Sequence, residues 1–190
     1  MDNGEATNEA PGRERGAAVP WDQHTEGLLR DWHNRAAAAQ DAHYKLATQC
    51  RRRNAQLGIP AVVLSSVVGT SLFATLSKDS VSSTLRIVVG LVSVLAAVLV
   101  GLQTFLRFGE RAEKHVVAAD WYSAVRRETA EVLALPSQAR EPPRDTLDRV
   151  RKEMSRVGQQ SPEIPARLWS QLAVTHEIQT APPARRADPL

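Results

Sequence analysis

His43 and His115 are the residues of this 190-residue chain best suited to proton chemistry. Imidazole changes charge near neutral pH, so a histidine on an apolar helix face can switch with pH, or pack with one hydrogen bond satisfied. Asp120 falls roughly level with His43 when residues are counted outward from the centre of a helical hairpin, which predicts a His43–Asp120 hydrogen bond. The lone cysteine, Cys50, excludes a disulfide within the chain, and no Cys/His spacing suits a metal. Cys50 reads as a small buried helix residue. Glu110 and Glu113 alternate with Arg111 and Lys114 as on a solvated face. There is no glycine-rich phosphate loop, dinucleotide fingerprint or nucleophile elbow. These residues form no catalytic set, so neither enzyme activity nor a cofactor is expected.

The elements that must position them are set by two apolar runs. Mean hydropathy over the chain is −0.30, which looks soluble, but the apolar residues are unevenly placed. Residues 57–77 and 87–106 carry no charge. As helices they span about 31 and 30 Å, close to the roughly 30 Å hydrocarbon core of a bilayer. An amphipathic soluble helix would show a charged stripe about every turn, and neither run does. The nine residues between them, 78–86, suit a tight turn between antiparallel helices.

Charge orients the hairpin. Lys45, Arg51, Arg52 and Arg53 precede the first run, and Arg107, Arg111 and Lys114 follow the second, whereas the connection holds only Lys78 and Arg86. Cationic side chains concentrate on the cytoplasmic side of membrane segments, so both termini are expected in the cytoplasm. The three arginines can also meet anionic lipid headgroups. Elsewhere basic and acidic residues alternate, and no nucleic-acid stripe is seen.

Helices in a bilayer associate through small residues. The first run offers two rows at steps of four, Ala61, Ser65 and Gly69 beside Ser66, Thr70 and Ala74. The second offers Ser93, Ala97 and Gly101, with Gly90 about a turn earlier. These faces can pack on each other within the hairpin or between subunits. With Ser71 and Thr75 the first run is the more polar, and would line a pore built from several copies. Hydroxyls also bond carbonyls of the preceding turn in ordinary spans. Gly58 and Pro60 stand at the cytoplasmic entry, where proline removes a donor, so a kink or hinge is expected there, or a simple interfacial helix start.

Both runs should extend into the cytosol. Leu29, Trp32, Ala36, Ala39, His43, Leu46 and Cys50 alternate steps of three and four over a helix of about residues 22–56. Phe108, Ala112, His115, Ala119 and Tyr122 repeat the spacing toward a helix end near Leu135 and Pro136. An antiparallel coiled pair follows, with residues 36–39, all alanine, allowing close approach. A short amphipathic helix from Asp145 to Gly158 presents Leu147, Val150, Met154 and Val157. Another starts near Pro165, with Leu168, Trp169 and Leu172 apolar. These pieces can pack on the long helices or dock a partner. Residues 1–21 and 179–190 read as disordered tails, and the first lacks the apolar core of a signal peptide.

The expected fold is an all-α membrane protein. It has a two-transmembrane helical hairpin with long cytosolic helical extensions over residues 22–135, and short C-terminal cytosolic helices over 136–178. The stretches AHYKLATQCRRRNAQLGIPAVVLSSVVGTSLF and VVGLVSVLAAVLVGLQTFLRFGERAEKHVVAADWYSAVRRE resemble the SLATT superfamily, the SMODS- and SLOG-associating two-transmembrane effector domains. The likeness rests on the order and spacing of LGIP, GLQTF and the E-x-A-E-K-H-x-x-A-A-D-W-Y run, over about residues 32–135, with SPEIPARLW as a further similarity. It implies a prokaryotic conflict protein of the inner membrane, a homo-oligomeric antiviral-defence effector that forms a pore or perturbs the membrane on a nucleotide or partner signal. It implies partners such as a nucleotide second-messenger synthetase or a SLOG-type sensor, and no catalytic residues. The alternative expectation is a non-conducting anchor that recruits a soluble partner through Leu168, Trp169 and Leu172 or through the cytosolic coil.

Overall fold

A computed structural model describes residues 20–76 and 82–178, with the backbone alone over 72–76. Five α-helices follow one another, with no strand among the described residues: α1 (Gln23–Leu76), α2 (Ser83–Leu106), α3 (Phe108–Ala134), α4 (Pro143–Gln160) and α5 (Ala166–Thr175). A single 3-10 turn, Ser137–Ala139, joins α3 to α4.

Each helix starts and stops for a local reason. The Asp22 carboxylate accepts the Thr25 amide at 2.7 Å and caps α1. Alanines and long straight side chains then carry α1 for 54 residues, about 81 Å at the standard rise. Ser82 caps α2 by accepting from the Leu85 amide. Leu135 is extended because it precedes Pro136, so α3 ends one residue before it. In α4 the helix begins at Pro143, where a missing amide costs nothing, and Asp145 lies in the first turn rather than at the cap. Gly158 does not stop α4; the helix continues to Gln160 and closes with the Ser161 hydroxyl donating to the Val157 carbonyl at 2.7 Å. The start expected near Pro165 is found, with Pro165 at the cap of α5.

The α2–α3 limb runs back along α1. His33 meets Thr129, Gln40 meets Arg126, Tyr44 meets Asp120 and Gly58 meets Gln103, so partner numbers fall as α1 numbers rise. The distal half of this pair is a cored bundle. Leu29, Ala36, Ala39, Tyr122, Val125, Val150 and Val157 are buried together, and Trp32, Trp121, Leu147 and Met154 pack on them. Ala36, Ala37, Ala38, Ala39 and Ala42 are all buried, because their small side chains let α3, α4 and α5 approach α1 from different sides.

A buried arginine ties the far end together. The Arg140 guanidinium bonds Glu26 at 2.6 Å and the Leu133 and Leu135 carbonyls, and lies over the Trp21 ring at 5.2 Å. The Trp21 indole donates to the Glu141 carbonyl at 2.9 Å. Trp21 is therefore joined to the folded bundle, although composition placed it in the tail. The bonds also satisfy carbonyls left over where α3 ends.

Candidate functional site

The proximal half of the helix pair has almost no core. Along α1, Leu57, Gly58, Ala61, Leu64 and Val68 are covered; along α2, Val89, Val92, Ser93, Ala96, Leu99 and Gln103 are covered. These positions recur every three or four residues, so each helix turns one stripe to its neighbour. Most of the rest of these segments faces outward, including Ile59, Val62, Leu91, Val94 and Phe105, which is 82% exposed. The apolar window in the α2–α3 run has a mean hydropathy of 2.6 and is 6% buried.

The small-residue rows divide between the two sides of these helices. Ala61 is buried against α2 and Ser93 is half-covered. Gly90, Ala97 and Gly101 face outward, and a Cβ added at either glycine would meet open space. The stripes that join α1 to α2 are therefore mainly leucine, valine and alanine, and the α2 small row is left free. On α1, Ser65, Ser66 and Thr70 also face outward, while Gly69 is half-covered; the Ala74 side chain lies outside the described residues. The Ser66, Thr70 and Ser71 hydroxyls donate to the carbonyls of Val62, Ser66 and Val67 at 2.7–2.8 Å. Ser93 and Thr104 do the same on α2. Each hydroxyl proton is thereby satisfied without water, and only oxygen lone pairs face outward.

The expected kink at Gly58 and Pro60 is not where the backbone breaks. α1 passes through both as helix. The break lies on the opposite limb, at Arg107, which has φ 47° and ψ 41° and separates α2 from α3. This left-handed conformation is one that an arginine adopts at a cost. Two contacts bracket it. On one side the Gln103 amide sits against Gly58, so close that a Cβ there would stand 3.0 Å from it. On the other, the Arg53 guanidinium lies 5.9 Å over the Phe108 ring. The physical reason for the displacement is that one missing amide at Pro60 can be carried by a helix braced along its length, whereas a left-handed residue reverses the local turn outright. Gly109, the residue whose type would announce such a conformation, is helical two positions on.

The seam between α1 and α3 contains a buried polar cluster. His43 Nδ1 and His115 Nδ1 are 2.9 Å apart, and the His43 ring stacks on Tyr122 with centroids 5.6 Å apart. One nitrogen must donate and the other accept. His43 Nε2 is buried without a partner, whereas His115 is partly exposed. No N–H is stranded when His43 donates from Nδ1 and His115 carries its own proton on Nε2. Burial, and then the neighbouring His115, push His43 down to about 4, and burial lowers His115 as well. The predicted His43–Asp120 bond is replaced. Asp120 accepts from the Tyr44 hydroxyl at 2.8 Å, one residue further along α1. The register was right, but His43 points into the seam and Tyr44 reaches around its edge. That bond raises the Tyr44 phenol.

Leu168, Trp169 and Leu172 were expected either to pack on the long helices or to dock a partner. They are used within the chain: Leu172 is buried with Ala38 and Ala42, and Leu168 and Trp169 are partly buried around them. His176 adds a 3.0 Å contact to Asp41. Leu172 packs on the small side chains of Ala38 and Ala42, so the apolar stripe of α5 is turned toward α1. Arg51, Arg52 and Arg107, named for orientation, are exposed; Arg53 is exposed and held over Phe108. Gln103 and Trp21 carried no role in the sequence reading. Gln103 could have been noticed as the amide facing the level of Gly58.

A continuous helix paired with a broken one, cored at one end and apolar outside at the other, makes the described residues all-helical, with one helix long and apolar enough to cross a membrane. A family model, SMODS and SLOG-associating 2TM effector domain family 4, matches residues 25–169. The chain belongs to that family, and so to the membrane effector domains that associate, by name, with SMODS and SLOG partners. No curated protein and no solved structure matches it. The family is not known as one of enzymes.

Proposed function

We propose that this chain is a prokaryotic defence effector of the inner membrane. Residues 57–77 and α2 cross the bilayer as a hairpin, both termini lie in the cytoplasm, and several copies assemble to open a leak. The observation that carries this reading is the outward apolar surface of α2 with its free small-residue row, Gly90, Ala97 and Gly101. Lipid accounts for the apolar exposure; a second hairpin accounts for the small row, since close approach is how helices associate where water is absent. One hairpin cannot enclose a path, so conduction needs several. Ser65, Ser66 and Thr70 on the outward side of α1 would face that path. The junction at Arg107 is the place where the cytosolic bundle can re-aim the spans, driven by a signal from a synthetase or sensor that binds the open arrangement better.

The Leu168–Leu172 route of the anchor alternative is not favoured, because that face packs on α1. The test is membrane potential, read with a voltage-sensitive dye in bacteria expressing the full chain, the Ala97→Leu variant or the Gly101→Leu variant at matched membrane abundance. Loss of depolarisation in both variants supports assembly through this row; unchanged depolarisation in both removes it.

A further inference from the structure

Ion pairs are more numerous in the distal bundle, although Arg126, Arg127, Arg144, Lys152 and Arg167 form none among the described residues. In the distal bundle Arg30 and Arg140 pair with Glu26, Arg35 with Asp31, Arg149 with Glu128 and Glu141, Arg151 with Asp148 and Arg156 with Glu153. Beside the apolar segment, Arg51, Arg52, Arg53 and Arg111 have no ion-pair partner among the described residues, and all four are exposed. Only Arg107 and Lys114 share a carboxylate there, that of Glu110.

Their placement is as telling as their lack of partners. Successive helical residues are about 100° apart, so three arginines in a row fan over roughly 200° of α1. No single protein neighbour can take all three. Arg107 and Arg111 stand on the other limb, at the break and just beyond it. Together they set exposed guanidinium groups on both limbs of the helix pair, Arg53 lying against Phe108 of the other limb. Arg53 lies four residues, about 6 Å, from Leu57, where the apolar segment begins, a spacing that matches the headgroup layer outside the hydrocarbon core. Phe108, half-covered beneath Arg53, places an aromatic ring at that level.

We propose that this ring is a binding surface for anionic phospholipid headgroups of the cytoplasmic leaflet, its planar forks gripping phosphodiester oxygens while the acyl chains lie on the outward apolar stripes. A lipid fits better than a free polyanion because the cations adjoin exposed Ile59, Val62 and Phe105, which a soluble anion leaves uncovered. The inference rests on the bilayer reading above. Lipid held here also braces the Arg107 junction, so leaflet composition would set how readily the spans are re-aimed.

The test uses the purified full chain in a mild zwitterionic detergent, with its melting temperature followed as short-chain phosphatidylglycerol, phosphatidylcholine or inorganic phosphate is added. Phosphatidylglycerol is expected to raise the melting temperature by several degrees more than phosphatidylcholine, with no rise from phosphate. Arg51→Gln/Arg52→Gln/Arg53→Gln is expected to lose most of that difference, and the triple lysine variant to keep part of it. Unchanged helical circular dichroism shows that both variants fold. Equal response to the two lipids, a full response in the glutamine variant, or an equal rise with phosphate alone overturns the proposal. Alkaline carbonate extraction separates the two readings. Release of the chain from membranes removes the bilayer reading itself, whereas retention without a phosphatidylglycerol preference removes only the lipid site.

Discussion

The two halves of one helix pair are built for different surroundings. In the distal half, Leu29, Val125, Val150 and Val157 are fully buried and the outside is laced with ion pairs. In the proximal half, Ala61 and Ala96 are the only buried apolar side chains described, and the outside is valine, leucine and isoleucine. α1 passes through both without interruption. The same helix therefore lies in a cored bundle at one end and keeps an apolar outer surface at the other. The distal half is held by hydrophobic burial; the proximal half lacks the side-chain volume between its helices to be held that way.

This contrast can be broken most forcefully at a single buried side chain. Leu29→Ala should destabilise the distal bundle by about 3 kcal/mol, the cost of lost transfer plus a cavity. Thermal unfolding of the detergent-solubilised chain measures it, and a loss well under about 1 kcal/mol would mean that the bundle is not packed as described.

Val94→Arg asks the same question of the proximal half. Val94 is exposed, so in water the change would be nearly neutral. In the middle of a bilayer helix an arginine costs about 2.5–3.5 kcal/mol by insertion scales. The expected outcome is a clear drop in the membrane-inserted fraction, read by carbonate extraction; an unchanged fraction would place this surface outside the hydrocarbon.

The junction between the halves is tested by sign. Glycine adopts the left-handed region freely, so Arg107→Gly should stabilise the broken α2–α3 limb by about 1 kcal/mol, while Arg107→Ala changes it by a few tenths. Both remove the same charge. If the limb is straight in the membrane, glycine lowers stability instead, because it then sits in a helix interior.

The seam between α1 and α3 is probed by its response to pH. The folded state holds His43 near 4, below its usual 6.5, so the folded form binds fewer protons than the unfolded one in that interval. Stability is therefore full above about 6.5 and falls as pH drops toward 4. His33, lowered by burial and by the nearby Arg126 charge, acts in the same direction. A His43→Leu variant should show a shallower fall in melting temperature between about pH 7 and 5; an identical profile would assign the response to other groups.

Much of this was legible in the residues. The heptad seams, the antiparallel register, the helix end at Leu135 and the α5 start at Pro165 follow from periodicity and from proline and capping chemistry, which act within a few residues along the chain. The uncharged runs were legible because a stretch of that length without a charge can be read from composition alone. What escaped was decided by three-dimensional fit. Nothing local marks Arg107 as left-handed when Gly109 is nearby. Tyr44 takes Asp120 from His43 through a difference in side-chain direction at one level. Leu172 covers Ala38 and Ala42, far earlier in the chain, which only the returning chain can bring together. The sequence determined which segments are helical and which solvent each must meet, because propensity and transfer energy belong to each residue. The tertiary structure alone decided which faces are left free, because a face is free only when no other part of the chain has covered it.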